Sequence, residues 1–142
     1  RRLMSARGLV HHIDLTVRDA ARSRIFYDAV LRFLGYRRAA DYDHGSDWDR
    51  DGDPFHSIGI VEAHGPGALG GPDRFSPGLH HLAWPAESRA DVDALHDLLR
   101  SIGATILDAP ADYPRYGPTY YALFFADPDG LKLEFVFGAT GG

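Results

Sequence analysis

The stretch Tyr120–Phe137, YYALFFADPDGLKLEFVF, decides how the rest of the chain is read. It predicts two strands joined by a tight turn. Pro128 presets φ at the second turn position, the Asp127 and Asp129 carboxylates can take nearby backbone amides, and Gly130 permits the exit. In the second strand Leu131, Leu133, Phe135 and Phe137 share one face at a period of two, while Lys132, Glu134 and Val136 share the other. Glu134 is therefore a carboxylate in mid-strand, where burial is expected on at least one side. An ion there is costly unless a cation or hydrogen-bond donors meet it.

Outward from that hairpin, Leu79–Trp84 (LHHLAW) predicts a strand with Leu82 and Trp84 on the apolar face and His81 and Ala83 opposite. Ser88 can cap a helix that packs through Val92, Leu95, Leu98, Leu99 and Ile102 and stops at Gly103. Ala104–Leu107 restarts a strand, and Ala109–Pro118 is expected to be loop. Residues 65–77, rich in Gly and Pro, read as a linker. Before the linker, Leu9–Val17 (LVHHIDLTV) alternates as a strand with Ile13, Leu15 and Val17 on one face and His12, Asp14 and Thr16 on the other. Asp19 caps a helix with Ile25, Phe26, Ala29, Val30, Phe33 and Leu34 at helical spacing, and Gly35 ends it. Strands follow at Tyr36–Tyr42 and Phe55–Ala63, and the acidic run Asp41–Asp53 between them reads as a solvated hairpin tip.

The two halves repeat. His12 and His81 lie 69 residues apart, as do Asp19 and Ser88. Each half reads strand, helix, three strands, with an HH pair at the first strand. The expected fold is α+β: two βαβββ modules building a curved mixed sheet around a metal-binding cleft, with the helices on its outer face. One domain over residues 4–142 is expected, with module one at 8–64 and module two at 78–138; Arg1 to Leu3 are left out of this reading.

Composition narrows the function. The chain has 142 residues, of which 44% are hydrophobic, enough for one domain with a sizeable core. Fifteen basic against 20 acidic residues give a net charge of -5, and no basic stripe suggests nucleic acid or anionic lipid as a partner. The absence of cysteine excludes disulfides, thiolate catalysis and zinc-thiolate sites, and a cytoplasmic protein without a membrane segment is expected. Any metal must then be held by His, Asp or Glu.

His12, His81 and Glu134 each occupy the face opposite the apolar stripe of a strand. A single strand histidine is more often satisfied by a carbonyl or water. Matched positions in two repeats, together with a mid-strand acid, instead suggest a ligand set for one divalent ion.

The order VHHIDLTVRD, GLHHLAW, FADPDGLKLEFV resembles the vicinal oxygen chelate superfamily, which includes glyoxalase I, extradiol dioxygenases and fosfomycin- and bleomycin-resistance proteins. The resemblance spans Leu9 to Phe137. It implies paired βαβββ modules around a divalent metal that holds vicinal oxygens of a small substrate, with His12, His81 and Glu134 as metal ligands. Glyoxalase I has a fourth ligand on the last strand of its first half; aligning Ile58–Val61 with Leu131–Glu134 places Val61 there, with Glu62 one residue off and facing away. Three ligands match a facial triad suited to Fe(II), and Mn, Zn, Ni and Co stay open.

Further candidates are His56, Tyr120 and Tyr121 as proton-moving residues, and Tyr113, Tyr116 and Arg115 as substrate contacts. Arg24 is a second candidate for an anionic substrate; ordinary packing or solvation is the competing reading of each. Asp47–Gly52 imitates the start of a calcium loop, but Ile58 stands where the closing Glu is needed. Two functions fit: a metal-dependent enzyme of dioxygenase, lyase, isomerase or transferase type, or a non-catalytic drug-sequestering protein of the bleomycin-resistance type. The resemblance also implies a homodimer.

Overall fold

The computed structural model describes residues 5–52 and 55–138. Its elements run β1 (His12–Val17), α1 (Ala20–Phe33), β2 (Arg37–Tyr42), β3 (Gly45–Arg50), β4 (His56–Glu62), β5 (Leu82–Pro85), α2 (Arg89–Ser101), β6 (Thr105–Asp112), β7 (Tyr121–Ala126) and β8 (Lys132–Phe137). The chain divides into two compact units, Arg1–Gly70 and Gly71–Gly142, and the division falls inside the expected linker. Met4, Asp53 and residues 139–142, which bound parts of the sequence reading, lie outside the described residues.

The closing hairpin forms as its turn chemistry dictates. Asp127 Oδ1 accepts the amides of Asp129 and Leu131, both at 2.9 Å, and the Gly130 amide donates to the Asp127 carbonyl at 3.0 Å. Gly130 sits at φ +95°, where a Cβ would be strained. This turn fixes the register that puts Phe124 across from Glu134.

Each unit contains one β–α–β–β–β copy and its own four-stranded mixed sheet, ordered β1-β4-β3-β2 in the first and β5-β8-β7-β6 in the second. The expected α+β fold of two βαβββ modules is present, with each module's strands hydrogen-bonded as a mixed sheet of its own. In each, the first and last strands of the copy pair in parallel and the remaining neighbours are antiparallel. The helices start where predicted: Asp19 accepts the Arg22 amide and Ser88 accepts the Asp91 amide. Helix α1 covers the face of its sheet that carries Trp48, Ile58 and Ile60, burying Phe26, Tyr27, Val30 and Leu31. Helix α2 buries Val92, Leu95 and Leu99.

Three expectations need correction. The acidic run is no solvated tip: it forms β3, an inner strand whose Trp48 is fully buried while Asp47 and Asp49 take the other face. The alternation in SDWDR is that of a half-buried strand, hidden by its charges. Ala109–Asp112 belongs to β6, because this edge strand absorbs Pro110 in the register shift between Asp108 and Ala111. Ile25, assigned to the packing face of the first helix, is 75% exposed; Tyr27 and Leu31 take that role.

Candidate functional site

Glu134 lies in β8 between β5 and β7, and only 2% of its surface is exposed. Its neighbours across the ladders are Ala83 and Phe124. Ala83 is too small to cover the carboxylate, and the residue two before it is His81, whose Nε2 reaches Glu134 Oε1 at 3.0 Å. The other oxygen, Oε2, accepts the Tyr120 hydroxyl at 2.5 Å. Both oxygens of the buried acid are therefore answered by side chains.

The Tyr120 phenol is pushed well above its ordinary range, first by burial and then by its bond to Glu134, so it stays a donor through neutral pH. Tyr120 and Tyr113 pack on a buried patch of Ala122, Phe124 and Val136. Tyr113 is also pushed up, mainly by burial. Tyr116 stacks on Tyr113 with centroids 5.8 Å apart and meets Tyr120 edge-on, and Arg115 donates to the Tyr116 hydroxyl at 3.0 Å. Four sequence candidates thus cluster beside Glu134 in one unit.

His81 is also held from behind. Its Nδ1 lies 2.7 Å from His80 Nδ1, so one nitrogen donates and the other accepts. With Nε2–H directed at Glu134, a neutral His81 accepts from His80. The His80 imidazole is held below its ordinary range by desolvation and then by the charges of His81, Lys132 and Arg74.

In the first unit, His12 makes the same contact with its neighbour, Nδ1 to Nδ1 with His11 at 3.0 Å, and its Nε2 lies 3.8 Å from Asp14 Oδ2. The strand registers correct the alignment of the two copies. Ile13 pairs with Ile58 as Leu82 pairs with Leu133, so Gly59, not Val61, is the counterpart of Glu134. The acid has changed strands: Asp14 faces Gly59 in one copy, and Ala83 faces Glu134 in the other. A Cβ on Gly59 would stand 2.4 Å from Asp14 Oδ1 and 2.7 Å from Asp47 Oδ1, so the glycine gives these two carboxylates their place. Sequence reading missed Asp14 and Asp47; the signal was a glycine in an apolar strand opposite two acids. Glu62 faces away as expected, its Oε1 accepting the Ala20 amide at the start of α1.

Other candidates fall elsewhere. His56 shares the face of Ile58, and its Nδ1 meets the Val10 carbonyl at 2.9 Å. Tyr121 projects from the face opposite Glu134, donating to Asp93 of α2 at 2.6 Å with Arg89 above its ring. Arg24 ties α1 to the β2–β3 hairpin through Ser46 Oγ and the Gly45 carbonyl. A cavity of about 710 Å³ in the first unit is lined by Thr16, Tyr42, His44, Val61 and His64 among others, and His12 is not part of its lining. Among the described residues no three His, Asp or Glu side chains already form a metal-holding group. His81 and Glu134 contribute two donors of suitable chemistry at one buried point, which fits part of a divalent ion's shell.

The sequence profile of the Glyoxalase/Bleomycin resistance protein/Dioxygenase superfamily matches residues 9–135. The chain belongs to this superfamily. The uncharacterized protein YqjT of Bacillus subtilis (strain 168) is 35% identical over 127 residues, covering 89% of this chain and 97% of that protein. A Bacillus halodurans protein described as a candidate glyoxalase has a solved structure with a TM-score of 0.78 at 30% identity, over 92% of this chain and 96% of the other. A glyoxalase/bleomycin resistance protein/dioxygenase domain from Frankia sp. EAN1pec gives a TM-score of 0.72 at 29% identity, over 94% and 99%. Among the described residues no helix is long and apolar enough to cross a membrane.

Proposed function

We propose that this superfamily member is a divalent-metal-dependent enzyme that binds a small substrate through a pair of oxygens, with His81 and Glu134 as protein ligands. The observation that carries the reading is the burial of Glu134, a carboxylate kept in a sheet interior with an imidazole nitrogen at 3.0 Å. Burying an acid for packing alone is wasteful when an apolar residue fits the same strand position. A divalent ion at this point would supply Lewis acidity toward a bidentate oxygen substrate. The chain's own residues do the rest. Glu134 and His81 Nε2 offer their lone pairs at one place, and His80 can accept the proton that His81 then carries on Nδ1, fixing the ring's tautomer. Tyr120 holds Glu134 in its rotamer through the hydroxyl and presents a protonated phenol beside the same point. Tyr113 and Tyr116 give a small planar substrate a stacked aromatic wall. His12 of the first unit enters this reading through the sequence pattern alone.

The test is metal analysis of protein purified without a nickel column, followed by calorimetric titration of Mn²⁺ and Fe²⁺ into the stripped protein. Near-stoichiometric uptake that is lost on His81→Ala and on Glu134→Gln is expected, and His12→Ala reports whether that imidazole is a third ligand. A wild type that takes up no divalent ion overturns the reading. The stacked, partly exposed Tyr113–Tyr116 pair favours a second reading, sequestration of an aromatic ligand without chemistry. Metal-free protein that quenches tyrosine fluorescence on binding such a ligand, with no turnover of catechols, hemithioacetals or epoxides, would support it.

A further inference from the structure

The second unit has a hollow of about 250 Å³, walled by Asp73, Arg74, Phe75, His80, Leu131 and Lys132. Two of these residues are cations with no carboxylate partner among the described residues. The Arg74 guanidinium rests 4.8 Å from the Phe75 ring centre, and Lys132 Nζ rests 4.5 Å from that of Phe124. Arg24, Arg32, Arg37, Arg38 and Arg89 pair with acids, and among the cations that do not, Arg74 and Lys132 stand out in walling one hollow together. The acid in the wall is already engaged: Asp73 accepts the Phe75 amide at 3.0 Å and the Ser76 hydroxyl at 2.7 Å within its own turn. His80 stands in the same wall as the two cations.

We infer that this hollow is an oxyanion subsite, taking the carboxylate or phosphate of a small organic anion, with Arg74 and Lys132 as its counter-charges and the Phe75 ring as its apolar edge. Two unpaired cations beside one imidazole repel each other, and an entering anion relieves that repulsion while gaining charge-assisted hydrogen bonds. The volume suits a charged head group and a few carbons, and falls short of a drug-sized ligand. The subsite also leads toward the carboxylate described above. His80 Nδ1 touches His81, whose other nitrogen touches Glu134, and Lys132 shares Glu134's face two residues earlier in β8. This deepens the proposed function and rests on it in one respect, that the anion's remaining atoms extend to Glu134; the substrate is then an anion whose charged end is held apart from its reacting oxygens.

The experiment is an NMR titration of metal-free protein with inorganic phosphate, and separately with acetate, read at the His80 ring protons with NaCl holding ionic strength constant. A saturable shift is expected, weakened by about tenfold or more in Arg74→Gln and in Lys132→Gln, about 1.4 kcal/mol, and largely kept in Arg74→Lys. The tighter of the two anions names the head group. A shift that does not saturate, or one of equal affinity in the wild type and both Gln variants, overturns the subsite. Protein that saturates with phosphate but takes up no divalent ion keeps the subsite and loses the metal reading; the reverse result does the opposite.

Discussion

Tyr120 and Asp28 show what single side chains contribute here. Replacing Tyr120 with Phe leaves Glu134 Oε2 buried without its donor. Urea denaturation should show a loss of about 1 to 3 kcal/mol, and a Tyr120→Phe protein as stable as the wild type would mean that water replaces the hydroxyl. Asp28 accepts Trp48 Nε1 at 3.0 Å and Arg32 Nε at 2.8 Å. Burial pushes its carboxyl up, but these bonds and the Arg38 and Arg32 charges outweigh that and hold it below the usual carboxylate range. A depressed folded-state value means that the stabilisation is present above the unfolded carboxyl's range and fades as acid protonates the folded form. Asp28→Asn should therefore cost about 1 kcal/mol at pH 7, with the gap to the wild type closing as the pH falls below the ordinary carboxylate range, as read from unfolding midpoints across pH. Glu134 and His81 were legible in the text because a period of two exposes a polar residue on a strand. The partnership of Asp14 with Gly59 was not, since it depends on which residue of β4 lies beside β1, and the one-dimensional pattern tolerates a two-residue slip that keeps every face the same.

Among the elements, β3 is the most exacting. A Cβ on its Gly45 would stand 2.3 Å from the Ile60 carbonyl oxygen, a backbone atom that cannot swing aside. Gly45→Ala should cost about 1 to 3 kcal/mol in thermal or urea unfolding. Gly59→Ala meets only carboxylate tips and should cost clearly less, so equal losses would show that the β3–β4 ladder is looser than described. The same strand explains the main misreading of the sequence. Four acids within Asp47–Asp53 signal solvent by composition, yet one buried indole held by α1 outweighs them: truncating a buried Trp costs about 3 to 5 kcal/mol, far more than solvating a half-exposed Asp returns. Both helices were legible because Asp19 and Ser88 cap as their chemistry predicts. The buried face of α1 was less so, because Ile25 and Tyr27 lie on different sides of a helix with a broad apolar arc, and only the docked sheet selects between them.

For the molecule as a whole, the two-copy plan was readable from the HH pairs and helix caps, because each copy repeats the same local instructions. Where the copies are joined, residues 69–80 are all exposed and Arg74 is the trypsin site inside that run. Limited trypsinolysis should cut after Arg74 before it cuts at any arginine of α1 or α2, giving fragments 1–74 and 75–142 on a mass spectrum; first cuts within the helices would contradict this order of exposure. The parallel pairing of β1 with β4, and of β5 with β8, carries a kinetic consequence. Neither unit can zip up from its turns alone, because its opening strand finds a partner only after the closing strand has been synthesised and gathered in. A ribosome-bound chain that stops short of β8 would leave β5 without its ladder, so the second half should become protease-resistant only once β8 has emerged and paired.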